Sequence, residues 1–340
     1  MTANNPELPW TDEQWARVNQ VIQEEASRAR VAATFLPLVG PLPGDTDFVR
    51  AEIIGYPEIE RATTITHADG RVENVTIGPD PGRRRENINV ADRVTIQLAT
   101  LEVKVQVRGA QMADPEMRSV LALFRRAANV LTRLEDAVVF RGLFEDPVRP
   151  AGGLNGLPEV WEIHGGQGTP GLWGPPAPDP WPWDDPFPPR QDWQFIEVAA
   201  TGDDLVRGVS DAIGELEAHG HFGPFGAVLG QELFLVAQTP DAHGYVLPQD
   251  RIIPFLGGGS LLRSSTLDAY NGYSGVVVAL GGAPVELVVA ADMSLQFLQV
   301  TQHPNFLFRV RERIALRIKE SDAITRLYVP DYRLRARQVQ

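Results

Sequence analysis

The chain has 340 residues, an ordinary apolar fraction of 43%, no cysteine and a formal net charge of -13. That length and composition hold one large domain or two ordinary ones around a real core. The acidic balance disfavours general binding to phosphate backbones or anionic lipid. The missing cysteines exclude disulfides, thiolate metal sites and a cysteine nucleophile. The opening MTANNPELPW has no basic start and no apolar h-region, so no signal peptide is expected. No window approaches the roughly 18 apolar residues of a membrane-spanning helix. A cytoplasmic protein, binding neither nucleic acid nor membrane, is the expectation.

Thr11 and Gln14 have the spacing of a capping box. Trp15, Val18, Ile22 and Ala26 follow at helical spacing, which predicts an amphipathic helix ending near Arg30. Pro37, Gly40, Pro41, Pro43 and Gly44 then keep the chain extended and turning. Residues 51–107 read as β-rich. Asp69-Gly70, between Ile65-Thr66 and Arg71-Val72, is a hairpin turn signal, and Arg83-Arg84-Arg85 form a basic tip. The arm so defined is too polar to bury both faces within its own chain. A two-stranded ribbon is marginal alone, so it is expected to lie on something else, such as a neighbouring subunit.

Asp114 followed by Pro115 predicts a helix start. Met117, Val120, Leu121, Phe124, Ala128, Leu131, Leu134 and Val138 hold helical spacing up to Gly142, which ends the helix. The closing residues Leu134 to Gly142, LEDAVVFRG, contain a local conflict. Glu135 and Asp136 lie near a helix end where partial negative charge collects. Unrelieved, this costs a few tenths of a kcal/mol. It points to a partner within or between subunits, Arg141 being one candidate; a solvated helix end is the alternative.

Residues 165–193 hold 9 prolines, 5 glycines and four of the seven tryptophans, a composition that forbids a helix or a paired strand. An ordered surface loop with polyproline stretches is predicted. A third helix is predicted from about Asp203 to Ala218, with Leu205, Val209, Ile213 and Leu216 on one face. HGHFGPFGAVLG then turns into a short strand, and Gly257-Gly258-Gly259 marks a loop. From Val276 the chain is β again. In its closing strand, Phe306, Phe308, Val310, Ile314, Leu316 and Ile318 alternate with Arg309, Arg311, Arg313 and Arg317.

Catalytic patterns are missing from the sequence. The six histidines show no HExxH spacing, GGGS at 257–260 lacks the GK[ST] of a phosphate loop, and there is no GxSxG. His219 and His221 flank Gly220 but are too few to hold a metal within one chain. The arginines at 309–317, in an acidic chain without interleaved aromatics on that face, suit a solvated or interface face better than phosphate binding. No enzyme activity, cofactor or metal site is expected.

Four stretches in order carry a resemblance to a known family. They are Glu13-Gln14-Trp15 with Phe35 and Val39-Gly40-Pro41-Leu42; Leu134 to Gly142 with Gly153-Leu154-Asn155-Gly156-Leu157; Phe222-Gly223-Pro224-Phe225-Gly226-Ala227-Val228-Leu229; and Gly281-Gly282, Glu286 to Val289 and Asp292 with the closing strand to Leu327. Together they resemble the encapsulins, bacterial nanocompartment shell proteins also labelled linocin-like bacteriocins. The resemblance implies an α+β fold of the phage major-capsid type, with a P-domain (long spine helix and β-strands), an A-domain, an extended E-loop and an added N-terminal helix.

The segments it implies are 1–54 (N-terminal helix and start of the P-domain), 55–98 (E-loop), 99–149 (spine), 150–275 (A-domain, with the insertion 165–193) and 276–340 (closing P-domain strands). The function it implies is a self-assembling icosahedral shell around a cargo enzyme, such as a peroxidase or ferritin-like protein, held by its C-terminal targeting peptide. The alternative is a phage or prophage capsid protein that packages DNA. The resemblance makes Val18, Ile22, Ala26 and Phe35 an apolar groove for the cargo peptide, although the same stripe could pack on the long helix. It places His219, Gly220 and His221 at a fivefold pore. Arg83, Arg84, Arg85, Glu135, Asp136 and Arg141 become inter-subunit contact candidates. Some members bind flavin at a shell aromatic; Leu101 to Arg108 here contains no Trp or Tyr, so no flavin is expected.

Overall fold

The structure is a computed structural model that describes residues 10–55, 60–66, 72–79, 88–91, 94–143, 160–173, 194–240, 246–270, 273–301 and 305–329. The N-terminal helix, Asp12–Ala29, begins as its sequence dictates. Thr11 Oγ1 accepts from the Gln14 N–H and Gln14 Oε1 accepts from the Thr11 N–H at 3.0 Å, closing the capping box. The spine helix, Arg118–Arg141, starts later than Pro115 suggested. The Asp114 carboxylate accepts from the Glu116 N–H and its carbonyl from the Met117 N–H, which folds 114–117 into a turn. Met117 sits in the left-handed region at φ 55° with its side chain buried. At the other end Gly142 has φ +77°, and a Cβ there would lie 2.5 Å from the Thr169 carbonyl oxygen. Only glycine fits a backbone approach that close.

The two helices pack against each other and on a five-stranded sheet. Its strands run in the order Leu38–Val39, Val285–Val300, Asn305–Ile318, Ala99–Arg108, Trp161–His164. The first pair is parallel and the rest are antiparallel. Strands 285–300 and 305–318 form a long hairpin whose register shifts after Val289, Ala291 and Phe297. Phe308, on the central strand of this sheet, anchors an aromatic cluster. Trp10 stacks on it at 4.9 Å between centroids, and Phe124 of the spine helix and Phe297 across the hairpin meet it edge-on at 5.5 Å. Trp15 packs edge-on against Trp10.

A second sheet orders Gln194–Glu197, Ile324–Tyr328, Ser274–Ala279, Phe225–Leu229 and Leu261–Arg263. Its two central strands, 274–279 and 225–229, are buried at every position, as befits strands covered on both faces. The helix Gly202–Ala218 covers it with Leu205, Val209, Ile213 and Leu216 turned inward. Thr169–Pro170 pairs with Gly142–Leu143, and Leu172 and Trp173 are buried, so the first part of the proline- and tryptophan-rich stretch is core rather than surface loop. Residues 174–193 of that stretch lie outside the described residues.

Residues 50–95 form a separate unit. Within it Glu60–Thr66 pairs antiparallel with Val72–Pro79, and Thr66 faces Val72 across the position of Asp69-Gly70. Ile53–Gly55 pairs with Asn89–Ala91. The hairpin turn itself and Arg83, Arg84 and Arg85 lie outside the described residues.

Candidate functional site: the seat of the N-terminal helix

The four residues expected to line a cargo groove are all buried in this chain. Val18, Ile22 and Ala26 are the face that the N-terminal helix lays on the spine helix and hairpin. Phe35 stacks on Phe140 of the spine helix at 6.2 Å. The stripe packs on the long helix, the other reading its spacing allowed. Exposed apolar side chains occur just beyond it, at Leu38 and Phe48.

The conflict at Glu135 and Asp136 is resolved inside the chain. Arg30, the residue that caps the N-terminal helix, sends its guanidinium into the junction of spine and hairpin. Its Nε lies 2.8 Å from Glu135 Oε2, and its Nη2 lies 2.5 Å from Glu312 Oε1 and 2.9 Å from Asp292 Oδ1. Asp136 accepts from the backbone N–H groups of Val31 and Ala32, at 3.1 and 2.8 Å. These bonds serve two donors of the chain just past the helix end. Arg141 faces elsewhere, donating to the carbonyl of Thr266. Glu135, Asp136 and Arg141 are at most 3% exposed, so the expected inter-subunit contacts are contacts within one chain.

Burial dominates the acid–base chemistry of this junction. It pushes the Glu135 carboxyl up to about 8 and the Asp136 carboxyl up to about 7, against the opposing pull of Arg30 and, for Asp136, of the two backbone N–H groups. Burial and the neighbouring Glu135 raise Glu312 well above the carboxylate range. The same acids hold Arg30 firmly protonated despite its burial. Asp292 differs in being 51% exposed.

The two loop histidines are held by different partners. His219 caps the helix Gly202–Ala218, and its Nδ1 lies 2.8 Å from the Glu215 carbonyl oxygen. Gly220 takes φ +93°. The His221 ring is 8% exposed, with Nε2 3.0 Å from Asp322 Oδ1. Among the described residues two groups of side chains could offer three ligand atoms to a metal ion, namely Glu102, Glu162 and His164, and His221, Glu320 and Asp322. In the first, cations already sit on both carboxylates: Lys104 is 2.6 Å from Glu162 and Arg309 is 2.6 Å from Glu102. In the second, the imidazole already has Asp322 as its partner. Among the described residues no helix is long and apolar enough to cross a membrane.

Two five-stranded sheets, a spine helix, a separate β arm and a buried helical seat make a fold of the phage major-capsid type. The chain shares its fold with the "Crystal structure of virus-like particle from Pyrococcus furiosus", at a TM-score of 0.57 and 16% identity, over 93% of this chain and 99% of that one. It also shares it with "The capsid of Myoviridae Phage XM1", at 0.51 and 13%, over 86% and 90%. Residues 190–315 match the family described as "Encapsulating protein for peroxidase" (Linocin_M18). Over 329 residues, 94% of each chain, the sequence is 24% identical to the "Type 1 encapsulin shell protein EncA" of Myxococcus xanthus. The resemblance to encapsulins is thereby borne out.

Proposed function

We propose that this chain is a nanocompartment shell protein, assembling with copies of itself into a closed icosahedral particle. The observation that carries this is a capsid-type fold joined to a near full-length likeness to a shell protein, 94% of both chains. The particle encloses a cargo enzyme bound through that enzyme's C-terminal peptide, and the shell itself performs no catalysis. The cargo peptide docks beside the buried stripe, on the surface that carries Leu38, rather than on Val18, Ile22, Ala26 and Phe35 themselves. The loop His219-Gly220-His221 lies at the fivefold opening, and Arg83, Arg84 and Arg85 on the arm meet a neighbouring copy. Such a particle resides in the cytoplasm.

Electron microscopy and mass spectrometry of the purified protein test this. Hollow closed particles with an enclosed protein are the expected result. Discrete monomers or dimers overturn the shell reading. Particles filled with DNA favour the second reading, a phage or prophage capsid, which the shared fold with a phage capsid also supports.

A further inference from the structure

We propose that Glu135 and Glu312 share a proton, and that this proton is the catch that seats the end of the N-terminal helix on the spine helix and the long hairpin. Three carboxyl groups converge on one guanidinium, and a fourth, that of Asp136, takes the backbone N–H groups beside it. Glu135 and Asp136 come from the spine helix, Asp292 and Glu312 from the two strands of the hairpin, and Arg30 from the end of the N-terminal helix. These are the charged groups that act on the pair from every element packed around it.

Asp292 is half-exposed to water, and Arg30 neutralises one carboxylate. Asp136 has the two backbone N–H groups. That leaves one carboxylate too many in a place water does not reach, because Glu135 and Glu312 are both fully buried. Uncompensated buried charge is relieved by taking up a proton. The hydrogen bonds point the same way. With both acids ionised, neither Glu135 oxygen nor Glu312 Oε2 has an aligned donor. The two carboxyls sit on one guanidinium, Glu135 against Nε and Glu312 against Nη2, so a proton on one carboxyl supplies the missing donor to the other.

Losing that proton therefore loosens the seat. Released into water, either carboxyl returns to the ordinary range, near 4.3 to 4.5. Seated, Glu135 holds its proton up to about 8. Stability from the shared proton is thus fully present below the ordinary carboxylate range and falls as pH rises, until about pH 8 is passed. In that window the opening equilibrium rises by up to about tenfold per pH unit for each proton held. Local opening exposes the amides of the helix Asp12–Ala29 and of Val31 and Ala32.

Infrared spectroscopy and hydrogen exchange on the full chain test this, and neither requires it to form particles. Wild-type protein at neutral pH is expected to show a buried protonated-carboxyl band that disappears above about pH 9. Glu312→Gln or Glu135→Gln is expected to weaken it, leaving only the part due to Asp136, which is lost near pH 7. Protection of amides 12–32, corrected for intrinsic exchange, is expected to fall by more than about tenfold per pH unit between about pH 5.5 and 7, where the shared proton and that of Asp136 are both held. In Glu312→Gln the fall should be shallower, about tenfold per pH unit at most. A wild-type spectrum without that band at neutral pH overturns the proposal, as does a variant whose exchange profile parallels the wild type. If neither variant folds, the wild-type infrared titration decides alone.

Discussion

The two ends of the N-terminal helix are fastened by opposite chemistries. At its start, Trp10 and Trp15 join Phe124, Phe297 and Phe308 in an aromatic cluster that spans helix, spine and hairpin. At its finish, Arg30 ties the same three elements together through Glu135, Glu312 and Asp292. The aromatic end gains from area removed from water and from ring geometry, neither of which depends on pH. The charged end opposes a desolvation penalty with short ion pairs, and its balance shifts whenever a proton moves. One helix thus has a constant anchor and an adjustable one. Between them Gln23 reaches the hairpin, its side-chain amide donating to the Met293 carbonyl.

The comparison breaks most readily at the aromatic end. Phe308→Ala is expected to cost about 3–5 kcal/mol in denaturant unfolding, with the same loss at acid and alkaline pH. A loss that varied with pH would show that the two ends are coupled rather than separate. Arg30→Met is expected to approach a similar size, about 3–5 kcal/mol above pH 8, because it leaves buried carboxylates without their cation. Here the loss should shrink toward pH 5, where the acids take up protons. A constant loss would mean that Arg30 acts through packing instead. Gly142→Ala serves as a comparison site away from both ends. Forced to φ +77° against the Thr169 carbonyl, it is expected to cost about 1–3 kcal/mol at any pH. Thr11→Ala removes only the Oγ1 acceptor of the Gln14 N–H and is expected to cost about 1 kcal/mol, read as fraying of the first turn by hydrogen exchange.

Much of this seat was legible from local pattern. The capping box fixed the start of the N-terminal helix, and the apolar spacing from Met117 to Val138 identified the spine. The signal for its charged end was also present but subtle. In the closing strand, Phe306, Phe308, Val310 and Ile314 share one face, and Glu312 falls in that same phase. A carboxylate in an apolar register requires a buried partner. Together with Glu135 and Asp136 it marked an acidic site, but nothing local pointed to Arg30 as the cation at its centre. Arg141, the nearest cation in sequence, instead turns to the Thr266 carbonyl. His219 and His221 showed the same limit. They flank one glycine in one loop, yet Asp322, far along the chain, claims one of them.

The sequence by itself determined the N-terminal helix, the body of the spine helix and its stop at Gly142, the long closing strand, and which faces are apolar, because capping, periodicity and turn chemistry act over a few neighbouring residues. Only the tertiary structure decided what those faces meet: that the stripe at Val18, Ile22 and Ala26 is sealed against the spine, and that three acids from distant segments share one guanidinium. Such pairings depend on which segments the sheets bring together, and the strength of a buried charge depends on the burial that results.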